Sequence, residues 1–483
     1  MEQLIKVEFP NLWLLLPELA VLLTGFTLFT LDLLYRRLNH TLAISVSIIG
    51  YLIAFLLLLL NWNAKGETFY GLYHRDNFSN LLQAFMLLLT LLLLGFTRAY
   101  YEHRKSLYGE FYYILNFALV GSMFLVSSYN LVVLYVTLEA VSISFYILTA
   151  LLRSDFNAKE GAFKYLMLGG LSIALASYGA GFMYLYSGSL DLRYILTHIG
   201  ENQYFLVLGL VLFLVGFAIK IGAVPFHFWL PDAYQGAPTP ITAYMASVGK
   251  LAFFAPVVRL MPYVQEHFAY AWITTVGLIS AITMLYGNLT ALVQKDVKRL
   301  LAYSSIAHSG YIMAGIAVAE VIGLKAVIYF LLAYALMGFG SFMVLALMER
   351  VSGWENRLEQ FSGLRFSVPW LAFSFMVLLL ALLGIPPTVG FVGKALVFMA
   401  LSFEGLWWLA LVMVVATGIS TGYYLRITAL MFMKEDNRSF NPSTSASERL
   451  LMVLITLGVV LLGATPIILW KFVSLSAENL FAR

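Results

Sequence analysis

The chain has 483 residues, of which 61% are hydrophobic and only 11% charged, against about 45–50% and about 25% in soluble domains. These proportions exclude an ordinary soluble enzyme and leave an integral membrane protein with no room for a sizeable soluble domain. The formal charge of +4 says little about partners, whereas zero cysteines exclude disulfides, thiolate metal sites and cysteine-held iron–sulfur clusters in this chain.

The first residues, Met1 to Trp13, show no basic region ahead of a small-residue cleavage site, so no removable signal peptide is expected. Apolar runs then predict about fourteen spans: 12–34, 41–61, 77–97, 109–128, 129–152, 160–186, 204–230, 238–260, 269–292, 300–318, 322–348, 368–404, 405–432 and 449–470. Pro225 lies inside the seventh run. It has no amide hydrogen and its ring clashes with the carbonyl of Ile221, so that span is expected to break near its middle. The long run 368–404 contains Gly384, Pro386, Pro387 and Gly390 and is read as a second broken helix.

Basic residues set an orientation. Connections on the side away from the termini carry Arg36, Arg37, Arg98, Arg104, Lys105, Arg153, Lys159, Lys295, Lys298, Arg299, Arg350, Arg357, Arg365, Lys434, Arg438 and Arg449. The side of the termini carries Lys6, Lys65, Arg75, Arg193, Arg259, Lys471 and Arg483. Positive-inside bias then puts both termini outside, in the periplasm or its equivalent. The organisation expected is an all-α polytopic membrane protein. A three-helix segment occupies 1–108. Two five-helix repeats follow, 109–260 with a break near Pro225 and 261–434 with a break near Pro386. A C-terminal loop and last helix fill 435–483. Five is odd, so successive repeats are inverted in the membrane, as in many transporters; Pro225 and Pro386 are expected to correspond.

Several ionisable groups fall inside the spans. Lys220 sits deep in the seventh, where a cation costs about 2.5–3.5 kcal/mol on insertion scales. A nearby carboxylate holds a buried lysine charged and its withdrawal releases the proton, so the pair can act as a switch. Glu139 is the deepest acid and the natural partner; the plain alternative is a fixed ion pair that only joins helices. Lys250 follows Pro240 by ten residues and Lys394 follows the second break by about two turns, which places both near mid-depth. His308, among Ser304, Ser305, Ser309 and Tyr311, is a candidate relay because histidine titrates near neutrality; its alternative is a satisfied structural group. Glu18 is read as a packing acid, and Lys164 and Lys325 as snorkelling to the interface. Neither a G-x-x-x-x-G-K-[ST] loop nor H-E-x-x-H occurs. Seven scattered histidines give no basis for a metal site, and no quinone or haem pocket is expected.

Two stretches carry a family likeness: Lys220 with Pro225 to Asp232 and Pro238-Thr239-Pro240, and Lys295 to Tyr311. With Glu139 and the Pro386–Lys394 segment they resemble the antiporter-like membrane subunits of respiratory complex I, the proton-pumping NADH:quinone oxidoreductase. Of the three groups lettered L, M and N, the stretch Tyr234 to Pro240 resembles N most. Lys394 stands where M has a glutamate, and the lateral helix of L has no counterpart. The resemblance implies fourteen helices in two inverted repeats. It also implies a pair Glu139–Lys220 at one half-channel, Lys250 as the central link and Lys394 as the exit-side lysine. Its implied partners are an antiporter-like M subunit, small membrane subunits and a peripheral redox arm, and NADH, FMN, iron–sulfur clusters and quinone are expected in those partner subunits. No cofactor is implied in this chain, and no nucleic acid. A bacterial inner membrane fits. A rival of the same fold is a subunit of a cation/proton antiporter or membrane-bound hydrogenase; a rival of another class is a passive spacer.

Overall fold

The computed structural model describes residues 9–35, 39–103, 109–200, 203–435, 440 and 442–481, the side chain of Glu266 excepted. Lys6, Arg36, Arg37, Arg104, Lys105, Arg438 and Arg483 of the basic tally lie outside the described residues. The elements run α1 Leu16–Tyr35, α2 His40–Leu60, β1 Gly66–Thr68, β2 Tyr73–Arg75, α3 Asn77–His103, α4 Glu110–Leu125, α5 Leu131–Thr149, α6 Phe156–Ser187, α7 Leu192–Thr197, α8 Tyr204–Ile221, α9 Trp229–Gly236 and α10 Thr239–Tyr244. A π-helical turn, Met245–Gly249, leads into α11 Lys250–Leu292. Then come α12 Val297–Val318, α13 Val321–Met348, α14 Leu364–Ser367, α15 Pro369–Leu383, α16 Val389–Phe403, α17 Trp407–Met433, α18 Ala446–Ala464 and α19 Ile467–Phe481. Among the described residues 12 helical segments are long and apolar enough to cross a membrane, and Glu110–Leu125, Pro369–Leu383 and Val389–Phe403 are shorter apolar helices. The expected helical membrane architecture is present, with one short hairpin as its only strands among the described residues.

The two central helices, α12 and α13, are buried nearly all round, while the outer helices bury one face and leave large apolar side chains outward. That is the pattern of a bundle solvated by lipid. Backbone groups must be satisfied within the segment in hydrocarbon, and many hydroxyls in the helices obey the same rule. Thr24, Thr90, Ser122, Ser142 and Ser341 each donate to the carbonyl four residues earlier.

Three features depart from the apolar pattern. A small antiparallel hairpin, β1 with β2, closes the α2–α3 connection. It tucks Arg75 and Tyr73 beneath α1, where Tyr73 OH donates to Glu18 at 2.6 Å and Gln83 donates to the same carboxylate at 2.6 Å. Glu18 thus joins α1, the hairpin and α3, as a packing acid should. Next, α11 runs without interruption through the expected connection at 261–268. In a straight helix Lys250 and Thr283 would lie about 50 Å apart. Yet Lys250 Nζ reaches Ile221 O at 2.6 Å and Thr283 Oγ1 accepts from Val224 N at 3.1 Å. The chain therefore doubles back near Pro262, and the two halves serve as separate crossings. Last, the C-terminal span is two helices that meet at Thr465-Pro466. α19 ties back to the hairpin side through Lys325–Glu478 and through Ser476 Oγ to Asn77 O. Lys164 meets Glu160 and Asp232, each at 2.7 Å, near its helix start.

Two segments share one pattern of backbone bonds. Leu131 N bonds Leu190 O and Leu192 N bonds Tyr129 O, while Val297 N bonds Asn356 O and Leu358 N bonds Lys295 O. Each residue of the first set reaches its counterpart by the same step along the chain. The helices that follow, α5 and α12, start from Asn130 and Asp296, each with its side chain capping the first turn. Helix backbones approach closely at the second break, where a methyl on Gly390 would run into the Ala381 carbonyl. Gly390→Ala is expected to cost about 1–3 kcal/mol by overpacking, read as a lower unfolding temperature in detergent; an unchanged temperature would show that α15 and α16 are not held this closely.

Candidate functional site

Each break frees one carbonyl, and a lysine takes it. Helix α8 ends at Ile221, whose carbonyl would accept from residue 225; Pro225 has no N–H to give. Lys250 Nζ donates to Ile221 O at 2.6 Å instead, and Ser309 Oγ donates to it at 2.9 Å. Helix α15 ends at Leu383, whose partner would be Pro387; Lys394 Nζ donates to Leu383 O at 2.9 Å. Both last turns close on a left-handed glycine, Gly222 at φ 72° and Gly384 at φ 93°. By this criterion the proline that answers Pro225 is Pro387, not Pro386, because only Pro387 stands four residues beyond the last helical carbonyl. Pro386 lies within the turn between α15 and α16.

Lys220 sits in the last turn of α8 and is 1% exposed. Its Nζ donates to Ser142 Oγ at 2.7 Å and Tyr146 OH at 3.1 Å. Glu139 lies on the same face of α5, one turn before Ser142, but makes no ion-pair contact with Lys220. Its charge still acts on the lysine through space, and its Oε2 is without a hydrogen-bond partner. The Lys220 amine is therefore held by Ser142 and Tyr146, and Glu139 acts on it without contact. The fixed ion pair does not occur.

Lys250 and Lys394 are 3% and 7% exposed. Lys250 also bonds Ser309 Oγ. His308, one residue back on α12, lies midway along that helix and feels the charge of both lysines. Its Nε2 meets Tyr424 OH at 3.4 Å and its ring stacks on Tyr334 with centroids 4.9 Å apart. Tyr424 in turn bonds Ser304. Lys394 lies over the Tyr311 ring at 4.6 Å. Tyr311 OH accepts from Asn288 at 3.1 Å, and Asn288 accepts from Tyr423 at 2.8 Å. His308 Nδ1 is buried without a protein partner, as a group that hydrogen-bonds to water would be.

Lys250, His308 and Lys394 therefore come together, and Lys220 with Glu139 forms a second group on the far side of the first break. Tyr334, Tyr423, Tyr424 and Asn288 escaped the sequence reading. Ser142 and Tyr146 follow Glu139 by three and seven residues, so helical spacing alone puts them on its face; that signal was present. Among the described residues no cluster of three His, Asp or Glu could hold a metal.

The family model for the transmembrane region of NADH:quinone oxidoreductase and Mrp antiporters matches residues 128–420. A curated relative, NADH-quinone oxidoreductase subunit N 2 of Aquifex aeolicus, is 60% identical over 477 residues, 98% of each chain. A chain of respiratory complex I from Thermus thermophilus superposes with a TM-score of 0.82 at 32% identity, covering 95% of this chain and 99% of that one. A chain of the Mrp complex from Dietzia shares the fold, with a TM-score of 0.86 at 21% identity over 98% of each chain. This chain belongs to the NADH:quinone oxidoreductase/Mrp antiporter transmembrane family.

Proposed function

We propose that the chain is the N-type membrane subunit of an NADH:quinone oxidoreductase and moves protons along its buried lysines. One observation carries this reading. Three amines sit in the apolar interior with no carboxylate in contact, and each is held by hydroxyls or by a carbonyl that a proline has freed. A lysine in such a place exchanges protons more readily than an exposed one, because burial disfavours its charge. The high identity to subunit N supports the assignment over a cation/proton antiporter, for which the Mrp likeness supplies fold alone.

In this reading Glu139 moves toward or away from Lys220 as charge shifts in neighbouring subunits. A proton leaves Lys220, passes Lys250 and His308, and exits by Lys394. The partners are antiporter-like and small membrane subunits and a peripheral arm, and NADH, FMN, iron–sulfur clusters and quinone are assigned to that arm's side of the assembly. The chain itself does no redox chemistry. It crosses a bacterial inner membrane fourteen times with both termini outside. Its two inverted repeats divide near residues 109, 260 and 434, a division supported by the matched backbone bonds at Leu131/Leu190 and Val297/Asn356. Lys220→Ala is expected to assemble and to lower proton translocation severalfold in proteoliposomes fed NADH and quinone. Normal translocation per NADH in that variant would defeat the proposal.

A further inference from the structure

An arginine held close to hydrocarbon is costly unless an anion meets it. Arg365, Arg426 and Arg449 apart, every described arginine has a carboxylate oxygen within 4.0 Å. Among the described residues these three have none, and all three are exposed. They are not scattered. Gly363 N donates to Leu430 O at 3.0 Å, which ties the short helix α14 to α17. Arg365 is the second residue of α14, and Arg426 precedes Leu430 by four residues, on the same face of α17. Helix α15 packs against both α17 and α18. On its α18 side, Arg449 lies over the Trp370 ring at 5.9 Å.

Arg426 belongs to a span. It lies about 6 Å deeper than Leu430 along the axis of α17. A long apolar stem lets such a guanidinium rise to the membrane interface, the level at which α14 and the starts of α15 and α18 lie. The side chains around the arginines are of the interfacial kind. Phe366 is 56% exposed, with the Arg365 guanidinium over its ring at 4.4 Å, and Trp370 follows four residues on; aromatic rings gather at this level of a bilayer. Deeper along the same helices the outward surface turns wholly apolar. Trp370, Phe373 and Val377 recur at helical spacing on α15, and Phe373 and Leu425 stand 55% and 42% exposed. Unpaired cations at headgroup depth above an apolar stripe at acyl-chain depth match a phospholipid in both of its parts.

We propose that Arg365, Arg426 and Arg449, around the start of α15, hold an anionic phospholipid, its phosphate among the guanidinium groups and its acyl chains along Phe373 and Leu425. Charge complementarity decides the occupant. The planar guanidinium fork matches two phosphate oxygens at once. A zwitterionic lipid would bring its own ammonium to three cations that already lack an anion, and an anionic one does not. The competing occupant is a neighbouring subunit, which would have to bring carboxylates to three arginines at one level of the membrane; the bilayer supplies phosphates there at every position. The site is independent of the lysine line, so its test reads lipid and not proton translocation.

The assembled complex is placed in vesicles of phosphatidylethanolamine and phosphatidylglycerol that carry a trace of one or the other lipid with a photoreactive acyl chain. After illumination the labelled peptides are read by mass spectrometry. The phosphatidylglycerol probe is expected to label the outward faces of α15 and α17 in preference to the phosphatidylethanolamine probe. Arg365→Gln and Arg426→Gln should each cut that preference about fivefold, the scale for one basic side chain at an anionic membrane surface. Arg426→Lys keeps the charge and should keep most of the preference. Labelling of the exposed face of α2, which carries no such arginines, serves as the internal reference and should not change. Equal labelling of α15 and α17 by the two probes in the unaltered complex would overturn the site, and so would a preference that survives both glutamine variants. If neither probe labels α15 and α17 while α2 is labelled, a neighbouring subunit covers the patch and the lipid reading is wrong. Should Arg426→Gln not assemble, Arg365→Gln at the surface decides: an unchanged preference there refutes the proposal.

Discussion

Lys250→Met is expected to leave the complex assembled and to reduce its proton translocation to below about a hundredth, the usual scale for loss of a positioned proton-transfer group. The structural side is mild. Ile221 O keeps Ser309 Oγ as a partner at 2.9 Å, so the broken turn is not left with an orphaned carbonyl. Methionine fills nearly the same volume, and removing a cation from mid-membrane removes about 2.5–3.5 kcal/mol of insertion cost. The functional side is severe, because Lys250 is the group that joins the first break to His308 and Lys394. Lys250→Arg separates the proton-relay reading from a passive spacer. Arginine keeps the charge and can still bond Ile221 O, but it does not give up its proton. A relay fails with arginine as it fails with methionine. A spacer works with arginine, and full translocation by Lys250→Arg would remove Lys250 from the path.

The breaks, the buried lysines and most spans were legible because each rests on a local rule. A proline inside an apolar run must free a carbonyl, and a charge among apolar residues must find company, whatever the tertiary structure. Partner choice across helices follows no such rule. Glu139 and Lys220 were matched by charge, but the rotation of α5 against α8 brings Ser142 and Tyr146 to the amine, and rotation is set by packing. The same holds for Pro387. Which of two adjacent prolines frees the carbonyl depends on where α15 stops, and the apolar run ending in Gly384 does not say. The hairpin at Gly66–Arg75 is too short to show a strand period, and it exists because Arg75 and Tyr73 are taken into the base of α1. The connection at 261–268 was expected and the chain does turn there, near Pro262, but helical hydrogen bonding continues through it, so no separate loop divides the two crossings.

Arg259→Ala is expected to cost about 3–5 kcal/mol, the scale for breaking a buried ion pair from one side, and to cut the amount of assembled complex. Arg259 donates to Asp76 at 2.7 and 3.2 Å and to Val126 O at 2.6 and 2.9 Å, and its guanidinium lies between the Phe78 and Tyr129 rings at 5.1 and 4.6 Å. It thereby ties α11 to the start of α3 and the end of α4. Its loss leaves the 4%-exposed Asp76 without the guanidinium that neutralises it, a costly state for a buried charge. Burial alone would raise the Asp76 carboxyl, but the charge and hydrogen bonds of Arg259 outweigh it and hold the group well below the usual carboxylate range. A depressed carboxylate stabilises above its unfolded value, near about 4, and that contribution fades as pH falls from there toward the folded value. In Arg259→Ala the bare carboxyl takes up a proton more easily, so the gap in unfolding temperature between it and the unaltered protein should narrow below about pH 4. Asp76→Asn carries no titrating group there, and against it the unaltered protein should lose its advantage over the same range. A gap that stays constant from pH 7 to pH 3 would mean that the pair contributes shape alone, and that α3, α4 and α11 are held together by packing and not by charge.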